Sequence, residues 1–235
     1  MGRFRQYTCH VQSSESTFSA SVSVTPTGPV PSGASPSPNG ANASAIFKPD
    51  NWFAPLEWHK VFAQEQPIEI DLGCGKGSFL VWAAHTQPQR NFLGVERLLR
   101  RLRRVDRKAA RAGVNNVRLI RVEATYLVSK LVPDRSISTY HILFPDPWPK
   151  RRHHTRRLIQ VPFLSEVHRT LTAEGVVNCA TDHEGYFEWI QREFQKSGQF
   201  VETEPAQLPP EAWTDFEREF VAAGKKVYRC RWQKR

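Results

Sequence analysis

One junction limits what this chain can fold into more than any other. Pro67-Ile68-Glu69-Ile70-Asp71-Leu72-Gly73 reads as a buried strand, and it runs straight into Gly73-Cys74-Gly75-Lys76-Gly77. Ser78-Phe79-Leu80-Val81-Trp82-Ala83-Ala84 then reads as a helix. A strand, a glycine-rich turn and a helix make a nucleotide-binding unit: the glycines let bare backbone approach a ligand, and the helix start offers free N–H groups. The dinucleotide pattern wants a small residue at 78 and finds Ser78. Asp71 would repel a pyrophosphate lying across the turn, but it suits a cationic ligand. The competing reading is a packing turn in which Asp71 caps the helix.

The pattern repeats downstream. Strands are predicted at Asn91–Glu96, Val117–Val122, Ile137–Leu143 and Gly175–Ala180, with two last strands at Phe200–Glu202 and Lys226–Trp232. Helices are predicted at Arg97–Arg111, over 125–132, at Val161–Leu171 with Pro162 in its first turn, and at Tyr186–Lys196. Trp213–Glu217 reads as a polar-aromatic loop, and 46–66 as an edge segment packed through Trp52, Phe53 and Trp58. Alternation of this kind predicts an α/β fold with a mostly parallel sheet and helices on both faces. With a 3-2-1-4-5 order, the first and fourth strands flank the point where such sheets bind ligands.

Five acids then stand at carboxyl ends of strands: Asp71, Glu96, Glu123, Asp146 and Asp182. Glu96 can accept hydrogen bonds from both hydroxyls of a ribose, or serve as a helix cap. Glu123 can face an adenine amino group, or be an ordinary loop acid. Asp146 lies in Phe144-Pro145-Asp146-Pro147-Trp148-Pro149-Lys150-Arg151-Arg152-His153-His154. Three prolines in five residues exclude helix and sheet, so the carboxylate sits on a stiff loop. An indole, Trp148, and a cationic run follow it at once. Together they suit a planar base on a polyanion, with loop packing as the other reading of Trp148. His153 and His154 lack a set of metal partners and read as polar or phosphate-side residues.

Charge supports a nucleic-acid partner. The chain of 235 residues carries 33 Lys+Arg against 23 Asp+Glu, net +10. Residues 1–45 hold two bases and one acid, so residues 46–235 keep net +9. That first stretch is rich in Ser, Pro, Ala and Gly, and its composition predicts a disordered tail. Arg3 and Arg5 give it only a faint likeness to a transit peptide; a tail or an early start codon explains it better. The helix predicted at Arg97–Arg111 has eight bases and one acid, Asp106, a solvated face or a phosphate contact. Four dispersed cysteines argue against zinc and disulfides and suit a reducing cytoplasm. No apolar run is long enough for a membrane helix.

Taken together, these residues resemble the bacterial tRNA (guanine-N7-)-methyltransferases. The resemblance covers about residues 50–235. It rests on Asp71–Gly77, Gly94-Val95-Glu96, Phe144–His153, Arg156–Gln160, Ala180-Thr181-Asp182 and Thr214-Asp215-Phe216-Glu217. It implies the Rossmann-like class I methyltransferase fold, with a seven-stranded, mostly parallel sheet ending in an antiparallel hairpin. It implies methyl transfer from S-adenosylmethionine to N7 of guanine 46 in the tRNA variable loop. The cofactor site would comprise Asp71, Gly73, Gly75, Gly77, Glu96, Glu123 and Asp146, with Asp146 also catalytic. Lys150, Asp182, Thr214, Asp215, Phe216 and Glu217 would contact tRNA. No metal or membrane is expected, and the protein would be a cytoplasmic monomer or homodimer. The family commonly has Glu where Asp71 stands and Asp where Glu123 stands, and its glycine- and arginine-rich C-terminal segment is only partly matched by Arg218–Gly224. Two alternatives remain: a class I methyltransferase for another RNA, and a non-catalytic RNA-binding relic.

Overall fold

Strand β2 (Ile68–Leu72) occupies the middle of the sheet, and all five of its residues are buried. It pairs in parallel with β3 (Asn91–Val95) on one side and with β5 (Ile137–Leu143) on the other. The computed structural model describes residues 44–235. Beyond β3 lie β4 (Val117–Ile120) and a two-residue edge strand, β1 (Ile46–Phe47); beyond β5 lie β6 (Leu171–Thr181), β8 (Tyr228–Lys234) and β7 (Phe200–Thr203). The order is β1-β4-β3-β2-β5-β6-β8-β7, with the last two pairings antiparallel. The expected central order and terminal hairpin are both present.

β2 has both faces covered, and its apolar residues feed one of two cores. Ile68, Ile70 and Leu72 join the larger one, with α5 (Val161–Thr170), α6 (Glu184–Ser197) and the π-helical turn Leu127–Leu131 that follows the short α4 (Ala124–Tyr126). The other core is built by α2 (Ser78–Thr86) and α3 (Leu99–Arg111), through Phe79, Leu80, Leu102 and Val105 against Phe92 and Leu119. Each such buried side chain contributes about 1.5–3 kcal/mol of apolar transfer. Glu69 and Asp71, one residue out of phase with the larger core, therefore point under α2. There His141 Nε2 lies 2.7 Å from Glu69 Oε2, and Arg90 donates to Glu69 Oε1 at 2.8 Å.

Several sequence expectations are corrected. The sheet has eight strands rather than seven. The extra β1 is too short to read from a pattern and is held by tertiary bonds: Asp106 accepts from the Ala45 N–H at 2.7 Å and from the Ser44 hydroxyl at 2.9 Å. These two residues fall at the end of the stretch expected to be a tail, whose residues 1–43 lie outside the described residues. β6 begins at Leu171, directly after α5, because Leu171 pairs with Ile137 before a bulge. The lead-in segment includes α1 (Trp58–Val61) and buries Leu56, Val61 and Phe62 in the larger core. Of the loop expected over Trp213–Glu217, Trp213 and Thr214 are non-helical, but Asp215–Glu217 open a helix, α7 (Asp215–Ala222). Thr214 caps it by accepting from the Glu217 N–H at 3.0 Å. Thr-x-x-Glu is a helix-start signature, so the signal was present in the sequence.

Candidate active site

The carboxyl ends of β2, β3, β4, β5 and β6 open onto one cleft of about 650 Å³. Gly73, Glu96 and Glu123 line one side; Asp146, Trp148 and Asp182 line the other. A smaller chamber adjoins it beneath the glycine turn and holds Asp71, Gly75, Thr214 and Asp215. Gly73, Leu143 and Phe216 line both spaces.

The glycine turn has the properties a ligand cradle needs. Gly73 and Gly75 have φ of +87° and +55°, which side chains with a Cβ rarely adopt. A Cβ on Gly73 would meet nothing within 4 Å, and one on Gly75 would only touch Gly73 O and Phe216 at 3.8 Å. Gly77 differs: a Cβ there would lie 2.5 Å from Val105 Cγ1, so this glycine lets α2 close on α3. Asp71 is 4% exposed, and among the described residues no hydrogen bond reaches its carboxylate. Burial pushes its pKa up to about 7; Glu96 adds to the rise and His141 opposes it. A buried carboxylate in that condition calls for a cation. Glu69, its neighbour on the same face, is held low instead: burial raises it, but the His141 bond and the charges of His141 and Arg90 outweigh that.

Glu96 is 7% exposed, with one oxygen accepting from the Leu98 N–H at 2.9 Å and the other 3.5 Å from Arg101. Glu123 caps α4 by accepting from the Tyr126 N–H at 2.9 Å while facing the cleft, so its cap and lining roles coincide. These acids and the open glycines fit an adenosyl ligand with a cationic amino group.

The opposite wall is built from backbone strain and long-range bonds. Phe144 and Trp148 bracket the proline loop at φ +54° and +43°, a conformation costing about 1–3 kcal/mol each that the surroundings must hold. Arg157, 4% exposed, does much of the holding. Its Nε donates to Pro147 O at 2.9 Å, and its guanidinium lies 5.0 Å and 4.8 Å from the Tyr186 and Trp189 rings of α6. Asp146 thereby projects, exposed, into the cleft. Trp148 is flanked by Arg156 at 5.1 Å and meets the edge of His153, which favours the packing reading. The basic run is a 3-10 turn, Arg151–Arg156, preceded by Lys150 in extended backbone.

Helix α7 forms the roof. The Ser78 hydroxyl donates to Asp215 at 2.5 Å, Lys76 pairs with Glu219 at 3.0 Å, and Phe216 and Phe220 face the cleft. Asp182 is paired with Lys225 at 2.7 Å. Glu217, 2% exposed, is ion-paired with Arg229 of β8 and lines neither space. Lys150 also stands outside the lining. The structure thus gathers Gly73, Glu96, Glu123, Asp146, Asp182 and Phe216 in the cleft and Asp71, Gly75, Thr214 and Asp215 beside it. It leaves Gly77, Lys150 and Glu217 out. Arg101, Arg157 and Phe220 escaped a reading by site; Phe220 was legible only as the i+4 neighbour of Phe216, once both share a helix.

Among solved structures, a 16S rRNA methyltransferase, KamB, superposes with a TM-score of 0.58 at 16% identity, covering 75% of this chain and 92% of its own. A 30S ribosomal A1408 methyltransferase from an uncultured bacterium gives 0.54 at 16% identity, over 76% and 92%. At such identity the likeness concerns the fold alone, and that fold is the class I methyltransferase fold. Residues 65–230 match a family described as putative methyltransferase. The tRNA (guanine-N(7)-)-methyltransferase of Thermotoga maritima is 33% identical over 184 residues, 77% of this chain and 59% of that protein. Those of Streptococcus thermophilus and Halalkalibacterium halodurans are each 32% identical, over 74% and 79% of this chain and 83% and 85% of their own. The chain belongs to the tRNA (guanine-N7-)-methyltransferase family.

Proposed function

We propose that the protein methylates N7 of guanine in tRNA, at position 46 of the variable loop, with S-adenosylmethionine as donor. The observation that carries this reading is a single cleft in which the glycine turn and Glu96 face Asp146 on its braced loop. Asp71 would meet the donor's amino group, Glu96 its ribose and Glu123 its adenine. When bound, the donor supplies an electrophilic methyl group. Guanine N7 already carries a lone pair, so the protein need not remove a proton from it. Its task is to align the base and exclude water. Methylation leaves the base cationic. Asp146, accepting from N1–H and the 2-amino group, selects guanine and stabilises the developing charge. Asp182, Lys150 and the start of α7 serve the tRNA side. Among the described residues no helix is long and apolar enough to cross a membrane, and no cluster of metal-ligating side chains occurs. We place the protein in the cytoplasm with its substrate.

The test is radiolabelled S-adenosylmethionine with bulk unmodified tRNA, followed by mapping of N7-methylguanine. Label confined to tRNA at position 46 is the expected result. Label in ribosomal RNA but not in tRNA, in a parallel reaction with total RNA, would support the alternative of another RNA substrate. No label in any RNA would sink the enzymatic reading and favour the binding relic.

A further inference from the structure

Helix α3 carries more than one feature pointing to an anion. Arg101, Arg104, Lys108 and Arg111 recur on it at steps of three, four and three residues, which places them on one stripe of helical surface, and Arg97 lies just ahead of the helix start. Arg97 and Arg101 line the cleft. Lys108 lines a separate depression of about 360 Å³, together with Trp82 of α2 and Arg218 of α7. From Arg101 to Arg111 the stripe extends about 15 Å at the ordinary helical rise.

Nothing acidic on the helix offsets this charge. Asp106, the sole acid between 97 and 111, spends both carboxylate oxygens on Ser44 and Ala45. Arg97, Arg104 and Arg111 are exposed, and none has an ion pair among the described residues. Lys108 donates to the Ser78 hydroxyl at 2.8 Å. Its pKa is lowered by desolvation and further by the nearby positive charges of Arg104, Arg218 and Lys76, against the pull of Asp215. Trp82, half-buried and backed by Phe79 at 6.4 Å between ring centres, offers a flat face at the stripe's far end.

We propose that this stripe is the track along which the tRNA backbone leaves the methyl-transfer cleft, and that an unpaired base of the same RNA stacks on Trp82 at its end. Cations at regular spacing beside an aromatic platform are the usual recipe for holding single-stranded nucleic acid. The inference rests on the tRNA reading above and extends it to a surface remote from the reacting atoms.

The double substitution Arg104→Gln/Arg111→Gln tests it, with Arg103→Gln/Lys130→Gln as the control. The control removes equal charge from exposed positions off the stripe, one elsewhere on the same helix and one on the turn after α4. Unmodified tRNA transcript, without cofactor, is titrated by filter binding across a salt series. The stripe variant should bind about tenfold more weakly, with a salt slope shallower by nearly two, since each phosphate contact contributes about 0.7–0.9 to it. Its kcat at saturating tRNA and its affinity for S-adenosylmethionine should stay within twofold while KM for tRNA rises in step. The control should change affinity less than threefold. Trp82→Leu, checked by thermal melting, should add a further severalfold loss with no change in slope. Equal losses in both double variants would reduce the stripe to general attraction and overturn the track. So would an unaltered slope, or loss of binding to anionic phospholipid vesicles but not to tRNA. Each of these leaves methyl transfer by the wild-type protein intact; a wild type that neither binds nor methylates tRNA would instead bring down the parent reading together with the track.

Discussion

The two walls of the cleft are made in different ways. The cofactor-side wall follows from local chain order. β2, β3 and β4 are short, fully buried strands, each delivering one acid to its carboxyl end, and the glycine turn follows from residue type alone. The substrate-side wall is assembled from parts distant in sequence: Arg157 grips Pro147, α7 leans on Ser78, Glu217 pairs with Arg229, and Lys225 pairs with Asp182. Continuous hydrogen-bond ladders support the first wall, and single side-chain bonds support the second. The contrast predicts that damage to the first shows in donor binding and its pH profile, whereas damage to the second shows in turnover and loop order.

The largest effect should come from Asp146→Ala. Loss of the charge facing the base should lower kcat by at least about 10²-fold, comparable to removal of one preorganised stabilising group. Turnover within tenfold of wild type, measured by label transfer, would remove Asp146 from its role.

Next is Glu217→Ala. Although Glu217 belongs to the motif assigned to tRNA, it is internal, and its loss strands the Arg229 charge inside the fold. We expect about 3 kcal/mol of destabilisation, at the low end for a broken buried pair because Arg229 retains solvent access. Denaturant unfolding checks this. An unchanged midpoint together with a raised KM for tRNA would return Glu217 to the substrate side.

Asp71→Asn should separate the walls through pH. The raised carboxyl pKa means that the native state binds a proton the unfolded state does not. The stability Asp71 contributes is therefore full below about pH 4 and is lost as pH rises through about 7. The Asn variant should consequently be more stable than wild type at pH 8 by a few kcal/mol, at about 1.4 kcal/mol per unit, with the gap closing towards pH 4. Its donor affinity should be weaker at pH 8, and should lack the decline expected of wild type as pH falls below 7. Calorimetric titration at pH 6 and 8 decides.

The smallest expected effect is that of Arg157→Met, which keeps the apolar stem on α6 but frees the Pro147 carbonyl. A roughly tenfold fall in kcat, about 1.4 kcal/mol, with donor affinity unchanged would mark Arg157 as positioning the Asp146 loop. Equal losses in donor affinity and kcat would instead indicate general unfolding.

The outcomes at particular residues show how far pattern alone can reach. Asp71, Glu96 and Asp146 were legible because strand ends in an alternating α/β chain share one edge of the sheet, so local assignment places them together. Glu217 was not, because its carboxylate meets Arg229 across a helix-to-strand contact that no local pattern encodes. Gly77 shows the same limit: its residue type was legible as a turn glycine, but its reason, the approach of Val105, is tertiary. Asp215–Glu217 read as loop in the sequence although Thr214-x-x-Glu217 announces a helix start.

What the sequence by itself determined is the architecture and the acidic, glycine-lined side of the site. Hydrophobic periodicity, glycine freedom and proline stiffness act within a few residues of their cause. What only the tertiary structure decided is the roof and the far wall: which face of α7 looks into the cleft, which acids are spent on internal partners, and where unneutralised cations line up. Those depend on which side chains meet across the fold, where a single bond such as Arg157 to Pro147 holds a carboxylate in place.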